Sequence, residues 1–332
     1  MIAVLAGGVG AARLLAGLVR VHPPPGVTAI VNTGDDLVLH GLHISPDIDT
    51  VVYTLAGAVN PATGWGLEGE TWRAMEGLDR YGGPTWFRLG DRDLATHLFR
   101  TGRLAAGAPL STVTAEIAAA WGIGARVLPA TDDPLRTRMA IGRAPREAGG
   151  PDEPGDSEPG DGEPGAEIGF QEYFVQRRHA VAVRAVRFAG AARARPAPGV
   201  LEAIAEAEAV IIAPSNPIVS IGPVLAVPGL RQAVELRRDR AVAVSPIVAG
   251  AALKGPADRL LRELGHESSV VGVARLYAGL VSTLVVDEAD AALAAPVEAQ
   301  GLRCVVAPAV MHGPPEAAAL ARVVLAAARI AR

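Results

Sequence analysis

Residues 1–36 read MIAVLAGGVGAARLLAGLVRVHPPPGVTAIVNTGDD, and this stretch decides the fold class. It starts with a short apolar run, Met1–Ala6, which ends at two glycines and is followed by a helix-like segment, Ala11–Val21. A second apolar run, Val27–Val31, ends in a polar turn. A strand, a glycine turn, a helix and a second strand in this order are typical of parallel α/β sheets.

The remaining chain continues this alternation of short buried strands, turns and helices. Leu201–Ala209 and Pro315–Ala331 are predicted helices. Predicted strands lie near Met139–Gly142, Ala180–Phe188, Ala209–Ala213, Ala241–Val244, Val281–Val286 and Arg303–Ala307. We therefore predict an α/β fold with a Rossmann-like, mostly parallel sheet and helices on both faces. Because ligands of open α/β sheets bind at the carboxyl ends of strands, the polar turns that follow the strands should form one binding edge.

Two segments depart from this alternation. Residues 63–127 hold all four tryptophans and several helix-like stretches, and we predict that they form a small helical insertion that caps the binding edge. Residues 1–62 and 128–332 would then form the Rossmann-like nucleotide-binding domain. Residues 147–167 contain eight acids, four prolines and six glycines but no basic residue, a composition that predicts a disordered, solvated loop.

The composition excludes several classes of protein. Half of the 332 residues are hydrophobic and 20% are charged, so the chain can bury a large core. Cys304 is the only cysteine, which excludes an intrachain disulfide and a cysteine metal cluster. The net charge is −4, and outside residues 147–167 it is +4, which is too weak to indicate nucleic acid binding. The chain has no uninterrupted apolar run of about 18 residues, so we expect a soluble, cytoplasmic protein with no membrane contact.

The glycine turn after the first strand is the first candidate binding motif. The backbone N–H groups of Gly7, Gly8 and Gly10, at the start of a helix, could approach a phosphate. Arg13 stands where the dinucleotide fingerprint G-x-G-x-x-G needs glycine or alanine, so the match to that fingerprint is imperfect. Tight packing without a ligand remains the alternative explanation of the glycines.

Four aspartates form the second motif. Asp35 and Asp36 follow the second strand, and Asp47 and Asp49 lie a few residues later, where they would share a face if the backbone were extended. Carboxylate oxygens with few other ligands suit Mg²⁺, which keeps waters and takes substrate phosphates. The pattern predicts a magnesium site at these four residues, with turn capping as the alternative.

Polar groups after two later strands form the third motif. Ser215 and Asn216 follow the strand near residues 209–213, and Lys254, the only lysine of the chain, follows the strand near 241–244. Hydroxyl, amide and ammonium donors suit the oxygens of a nucleotide diphosphate. A solvent-exposed lysine is the alternative for Lys254.

An aromatic and acidic segment forms the fourth motif. It could grip a planar ring and its hydroxyl groups, and its candidate residues are Trp86, Asp91, Asp93 and His97. A surface turn that opens a helix is an equally good explanation of the same residues.

Several of these segments together resemble the 2-phospho-L-lactate transferase family, including its actinobacterial members that use phosphoenolpyruvate. The resemblance runs over nearly the whole chain and leaves residues 147–167 outside the pattern. It rests on Gly7–Gly10, Val31–Asp36, Ser45–Thr50, Gly64–Gly66, Glu70–Trp72, Trp86–Thr101, Ala213–Ser220 and Ser245–Pro256.

This resemblance implies a step in the synthesis of the deazaflavin coenzyme F420. A guanosine diphosphate-activated lactate or enolpyruvate would react with the terminal hydroxyl of didemethyl-hydroxy-deazariboflavin (Fo), and GMP would leave. The resemblance also implies Mg²⁺ dependence and a homodimer. On this basis we expect Asp36 and Asp49 to be catalytic, Gly7, Gly8, Gly10, Ser215, Asn216 and Lys254 to bind the nucleotide, and residues 86–97 to cover the deazaflavin ring.

Two other functions are compatible with part of the pattern. A non-catalytic regulator that binds a nucleotide sugar, as in the related gluconeogenesis-factor group, would need no deazaflavin site, and residues 65–101 argue against it. A dehydrogenase that uses NAD would need a better glycine fingerprint than the one that ends at Arg13.

Overall fold

The computed structural model describes residues 1–142 and 166–330. The strands are β1 (Ile2–Ala6), β2 (Val27–Val31), β3 (Leu37–Leu39), β4 (Leu42–Ile44), β5 (Arg126–Pro129), β6 (Arg136–Gly142), β7 (Glu167–Gly169), β8 (Ala182–Ala189), β9 (Ala209–Ile212), β10 (Ala241–Val244), β11 (Ile247–Val248), β12 (Ala251–Ala252), β13 (Thr283–Val286) and β14 (Arg303–Val306). The helices are α1 (Gly8–Val21), α2 (Pro46–Leu55), α3 (Arg73–Arg80), α4 (Asp93–Ala105), α5 (Leu110–Ala120), α6 (Val200–Ala205), α7 (Gly222–Ala226), α8 (Leu230–Glu235), α9 (Ala257–Glu263), α10 (Val270–Tyr277), α11 (Ala294–Glu298) and α12 (Pro314–Ile330).

A seven-stranded sheet in the order β14-β13-β10-β9-β1-β2-β5 forms the centre of the fold. All of its neighbouring strands are parallel. Strands β2 and β5 lie on one side of β1, and the later strands β9, β10, β13 and β14 lie on the other side. The order therefore reverses between β1 and β9, which is where open α/β sheets bind ligands. The prediction of a Rossmann-like, mostly parallel sheet is confirmed.

The apolar run of β1 explains why this strand occupies the middle of the sheet. Ile2, Val4 and Ala6 contribute to a core on one face, where α1, α2 and α12 pack. Ala3 and Leu5 contribute to a second core on the other face. Because strand side chains alternate between faces, a strand covered on both sides must be apolar at every position.

Two groups of elements come between strands of this sheet in the chain. Helices α3, α4 and α5 lie between α2 and β5, and β6, β7 and β8 form a separate antiparallel sheet in the order β7-β6-β8. The division into a nucleotide-binding domain and an insertion at 63–127 stays a prediction. Of the predicted acidic loop, residues 147–165 lie outside the described residues, whereas Glu167 begins β7. Among the described residues, no helix is both long and apolar enough to cross a membrane.

A substitution at Gly17 tests the close packing of α1 on α12. A Cβ atom at this position would overlap with the carbonyl oxygen of Ala317. We expect Gly17→Ala to lower the free energy of unfolding by about 1–3 kcal/mol, as overpacked cores do, measured by urea denaturation. The matched control is Gly102→Ala in α4, where the added Cβ meets no atom within 4 Å and helix propensity should raise the stability slightly. Equal effects of the two substitutions would contradict the close contact.

Candidate active site

A cleft of about 440 Å³ opens at the carboxyl edge of the central strands. Its walls include the turns that follow β1, β2 and β9, as well as side chains of α2 and α4. The expected binding edge is therefore present. Of the residues selected from the sequence, those that line the cleft are Gly7, Gly8, Gly10, Asp35, Asp47, Asp49, Asp93, His97, Ser215, Asn216 and Lys254.

Close packing accounts for two of the three glycines after β1. A Cβ atom on Gly7 would lie 2.8 Å from the Oδ2 atom of Asp47, and one on Gly10 would overlap with the carbonyl oxygen of Pro214. Gly8 has a φ angle of 73°, which other residues rarely adopt. The N–H group of Gly8 donates to Asp47 Oδ1 at 2.8 Å, and that of Gly7 donates to Ser215 Oγ at 3.3 Å. A phosphate would therefore use N–H groups further into the first turn of α1, which have no partner within the helix.

Asp47 is held by Gly8 and by an asparagine that sequence reasoning did not single out. Asn32, which is fully buried after β2, donates its Nδ2 to Asp47 Oδ2 at 2.9 Å. Burial raises the pKa of Asp47 to about 6, although the hydrogen bonds from Asn32 and Gly8 oppose the shift. The extended backbone under which Asp47 and Asp49 would share one face is not present, although both residues line the cleft. Pro46 begins α2, so the two acids lie two positions apart in a helical turn and point to different partners.

Asp35 and Asp36 keep one buried oxygen each without a partner. Within residues 1–142 and 166–330, no hydrogen bond reaches Asp35 Oδ1 or Asp36 Oδ1. Asp36 Oδ2 accepts a hydrogen bond from Ser45 Oγ at 2.8 Å, and Asp36 itself does not line the cleft surface. Burial raises the pKa of Asp36 to about 7, and burial together with the charge of Asp47 raises the pKa of Asp35 well above its ordinary range.

Asp49 belongs to a buried network with α4. The guanidinium of Arg100, which is completely buried, donates to both carboxylate oxygens of Asp49. Next to this pair, His97 Nδ1 lies 3.7 Å from Asp49 Oδ2, and His97 Nε2 lies 3.2 Å from Asp93 Oδ2. Burial raises the pKa of Asp93, but hydrogen bonds from His97 and from the Tyr53 hydroxyl outweigh this effect, so the pKa is lowered.

The same network contains a group of side chains with the geometry of a metal site. Asp49, Asp93 and His97 each offer one ligand atom, and these atoms lie within 4.8 Å of one another. Sequence reasoning missed Arg100 and Tyr53. The spacing of Asp93, His97 and Arg100, which places them on one face of α4, was the signal that could have revealed the arginine.

Two of the residues assigned to the planar ring do not line the cleft. Asp91 accepts hydrogen bonds from the backbone N–H groups of Arg73 and Ala74, both at 3.0 Å, and so caps the first turn of α3. Trp86 packs edge to face on Phe87 at a centroid distance of 5.8 Å, and it is Phe87 that lines the cleft.

The polar groups after β9 and β10 reach the cleft from the other side. Asn216 Oδ1 accepts from the N–H groups of Ile218 at 2.9 Å and Val219 at 3.3 Å, while its buried Nδ2 has no partner in the described part of the chain. Lys254 Nζ donates to the carbonyl oxygen of Thr63 at 2.7 Å, and burial together with the charge of Arg13 lowers its pKa. Two donors are thus present where the sequence predicts phosphate contacts.

The fold and this cleft define an α/β enzyme with an acidic, glycine-lined ligand site. The family model described as 2-phospho-L-lactate transferase CofD matches residues 2–307. The chain belongs to this family and is a transferase.

Relatives named phosphoenolpyruvate transferase match the chain over its whole length. The protein from Streptomyces griseus subsp. griseus is 46% identical over 97% of this chain and 96% of its own. The one from Streptomyces avermitilis is 46% identical over 100% and 99%, and the one from Mycolicibacterium smegmatis is 41% identical over 97% and 96%. A crystal structure of a UPF0052 family member from Bacillus halodurans, at 17% identity and a TM-score of 0.60 over 98% of both chains, shares the fold.

The raised pKa of Asp36 predicts how the metal-free protein responds to pH. Because the folded state favours the protonated carboxyl, stability from this group is present below about pH 4 and is lost as the pH rises through about 7. In EDTA, the free energy of unfolding of the wild type relative to Asp36→Asn should fall by about 2–4 kcal/mol across this range, measured by urea denaturation. Parallel pH curves for the two proteins would contradict the shift.

Proposed function

We propose that this transferase acts in coenzyme F420 biosynthesis. It would move a phosphoenolpyruvyl or phospholactyl group from a guanosine diphosphate-activated donor to the terminal hydroxyl of Fo, with release of GMP. The observation that carries the proposal is the convergence of the glycine turn, several aspartates and the donor groups of Asn216 and Lys254 at one cleft in a chain of this family. The names of the relatives favour enolpyruvate over lactate.

The residues of the cleft fit a magnesium ion. Asp35 and Asp36 each have a buried carboxylate oxygen that no hydrogen bond reaches within the described ranges, and burial raises the pKa values of both groups. All-oxygen ligands of this kind suit Mg²⁺. Each carboxylate oxygen of Asp47 and Asp49 already accepts one hydrogen bond and keeps a second lone pair. These second lone pairs could also bind the ion. Magnesium held there would neutralise charge that develops on the departing guanylate.

The protein groups around this position would hold the reactants in place. Phosphoryl transfer depends mainly on positioning and on electrostatic stabilisation. The first turn of α1 and the Asn216 amide would bind the donor's phosphates, and Lys254 would exchange the Thr63 carbonyl for a phosphate oxygen. Asp36 and Asp49 are the proposed catalytic residues, and one of them would take the proton of the attacking hydroxyl. Asp93, His97 and Phe87 would contact the acceptor from α4 and the preceding turn.

The nucleotide-sugar regulator considered from the sequence lacks comparable support, because the relatives named above are transferases. The homodimer and the cytoplasmic location that we expected remain predictions.

Asp36→Asn tests the reaction itself. We expect turnover of Fo to fall by at least about 100-fold, because a neutral amide cannot supply the charge that this position contributes to the site. Product formation is measured by mass spectrometry with Fo, Mg²⁺ and the guanylylated donor, and circular dichroism checks that the fold persists. Asp79→Asn on exposed α3 is the control and should be fully active. Normal turnover by Asp36→Asn would remove this residue from the catalytic site, and an inactive wild type would refute the reaction.

Lys254→Ala tests the nucleotide end of the cleft. Loss of a charge-assisted hydrogen bond to a phosphate should weaken GDP binding by about 1–3 kcal/mol, measured by calorimetry. The exposed Arg80, at the end of α3, provides an Arg80→Ala control that removes a distant positive charge. Equal GDP affinity in all three proteins would show that Lys254 binds only the Thr63 carbonyl.

A further inference from the structure

We propose that Phe170, Gln171 and Phe174, which we call the aromatic wall, bind the flat heterocycle of one of the two substrates and recognise its amide-like edge. The inference rests on the proposed function and assigns a ring-binding role to a segment that the sequence motifs left without one. The ligand chemistry is a fused ring that carries neighbouring N–H and C=O groups. Both the guanine of the donor and the deazaflavin of the acceptor have this chemistry.

The rings of the aromatic wall are fixed in place. Phe170 and Phe174 are parallel within 5° at a centroid distance of 5.6 Å, and Phe174 stacks in turn on His179 at 5.7 Å. Both phenylalanines line the cleft. The turn that carries Phe174, Glu172–Gln176, is π-helical, and such turns are frequent at functional sites.

Core packing explains part of this arrangement but not all of it. Phe170 and the fully buried Tyr173 belong to a small core with Met139 and Val219, which anchors the segment. Phe174 packs against the edge of this core, yet it stays only half-buried and also lines the cleft. A half-buried phenyl ring on the wall of a substrate cleft offers apolar contact to a planar ligand.

Gln171 provides the polar recognition. Its side chain is 9% exposed and it lines the cleft, yet within residues 1–142 and 166–330 its amide makes no hydrogen bond. The amide is not among the side-chain atoms that are sealed from solvent, so a ligand in the cleft could reach it. An amide without a protein partner presents one acceptor and two donors, the complement of a ring edge with adjacent N–H and C=O groups.

The aromatic wall and the acidic network come from different segments of the chain. The anchor of the aromatic wall, Val219, follows β9, whereas Tyr53 and Asp93 belong to helices inserted between β2 and β5. Strands β2 and β9 flank β1 on opposite sides, and the glycine turn follows β1. The donor and the acceptor, each with one flat ring, could therefore contact different sets of side chains in the cleft.

The test uses two substitutions in the aromatic wall. Gln171→Met keeps the length of the side chain and removes the amide. Phe174→Leu keeps an apolar side chain and removes the flat aromatic ring. Controls are Gln232→Met on α8 and Phe99→Leu on α4, at exposed positions that do not line the cleft. Binding to each protein is measured with GDP and Mg²⁺ by calorimetry, with Fo by fluorescence, and with pyrophosphate, which has no ring.

We expect each wall variant to weaken the binding of one ring ligand by about tenfold and to leave pyrophosphate binding unchanged. Loss confined to GDP assigns the wall to guanine, and loss confined to Fo assigns it to the deazaflavin. Unchanged binding of both ring ligands, equal loss of both, or a parallel loss of pyrophosphate binding would overturn the inference. If the wild type bound neither GDP nor Fo, the proposed function would fail along with it.

Discussion

Asp47 joins three distant segments of the chain at the edge of the sheet. It accepts hydrogen bonds from the N–H group of Gly8 and from the amide of Asn32, and Asn32 in turn reaches the carbonyl oxygen of Val219 at 3.4 Å. These contacts hold together the turns after β1, β2 and β9. The turns come so close that a side chain on Gly7 would overlap with Asp47 and Ser220. The position of every other group in the cleft depends on this arrangement.

The cleft gathers more negative charge than its own cations balance. Arg100 neutralises Asp49, and hydrogen bonds from Asn32 and Gly8 stabilise Asp47. Asp35 and Asp36 each have one buried oxygen that accepts no hydrogen bond in the described part of the chain. Burial raises the pKa values of both groups. Burial of an uncompensated carboxylate is costly, so a cation bound at the proposed site would stabilise the folded protein. This imbalance supports a metal-dependent phosphoryl transfer better than any single motif does.

The surroundings of the acids indicate how two substrates could share one cleft. The acidic network consists of side chains of α2 and α4, whereas the aromatic wall follows β7, and side chains of both line the cleft. A transfer between two large substrates needs both to reach one phosphorus atom from different directions. A sheet whose strand order reverses at its centre provides such an arrangement, because loops from both halves meet at the point of reversal.

The sequence by itself determined six of the seven strands of the central sheet, the glycine turn and the family, but it did not predict β5. Continuous apolar runs such as Ile2–Ala6 specify buried strands locally, and the motifs that mark the family are themselves local. Only the tertiary structure decided which charges pair. Arg100 meets Asp49 across 51 positions, and Asn32 meets Val219 across 187. Local spacing could place Arg100 on the same face of α4 as His97, but it could not show that this face meets Asp49. The contacts of Asn32 and the place of Gln171 in the cleft likewise followed only from the fold. The same reason explains why Asp47 and Asp49, neighbours in the sequence, have different partners in the fold.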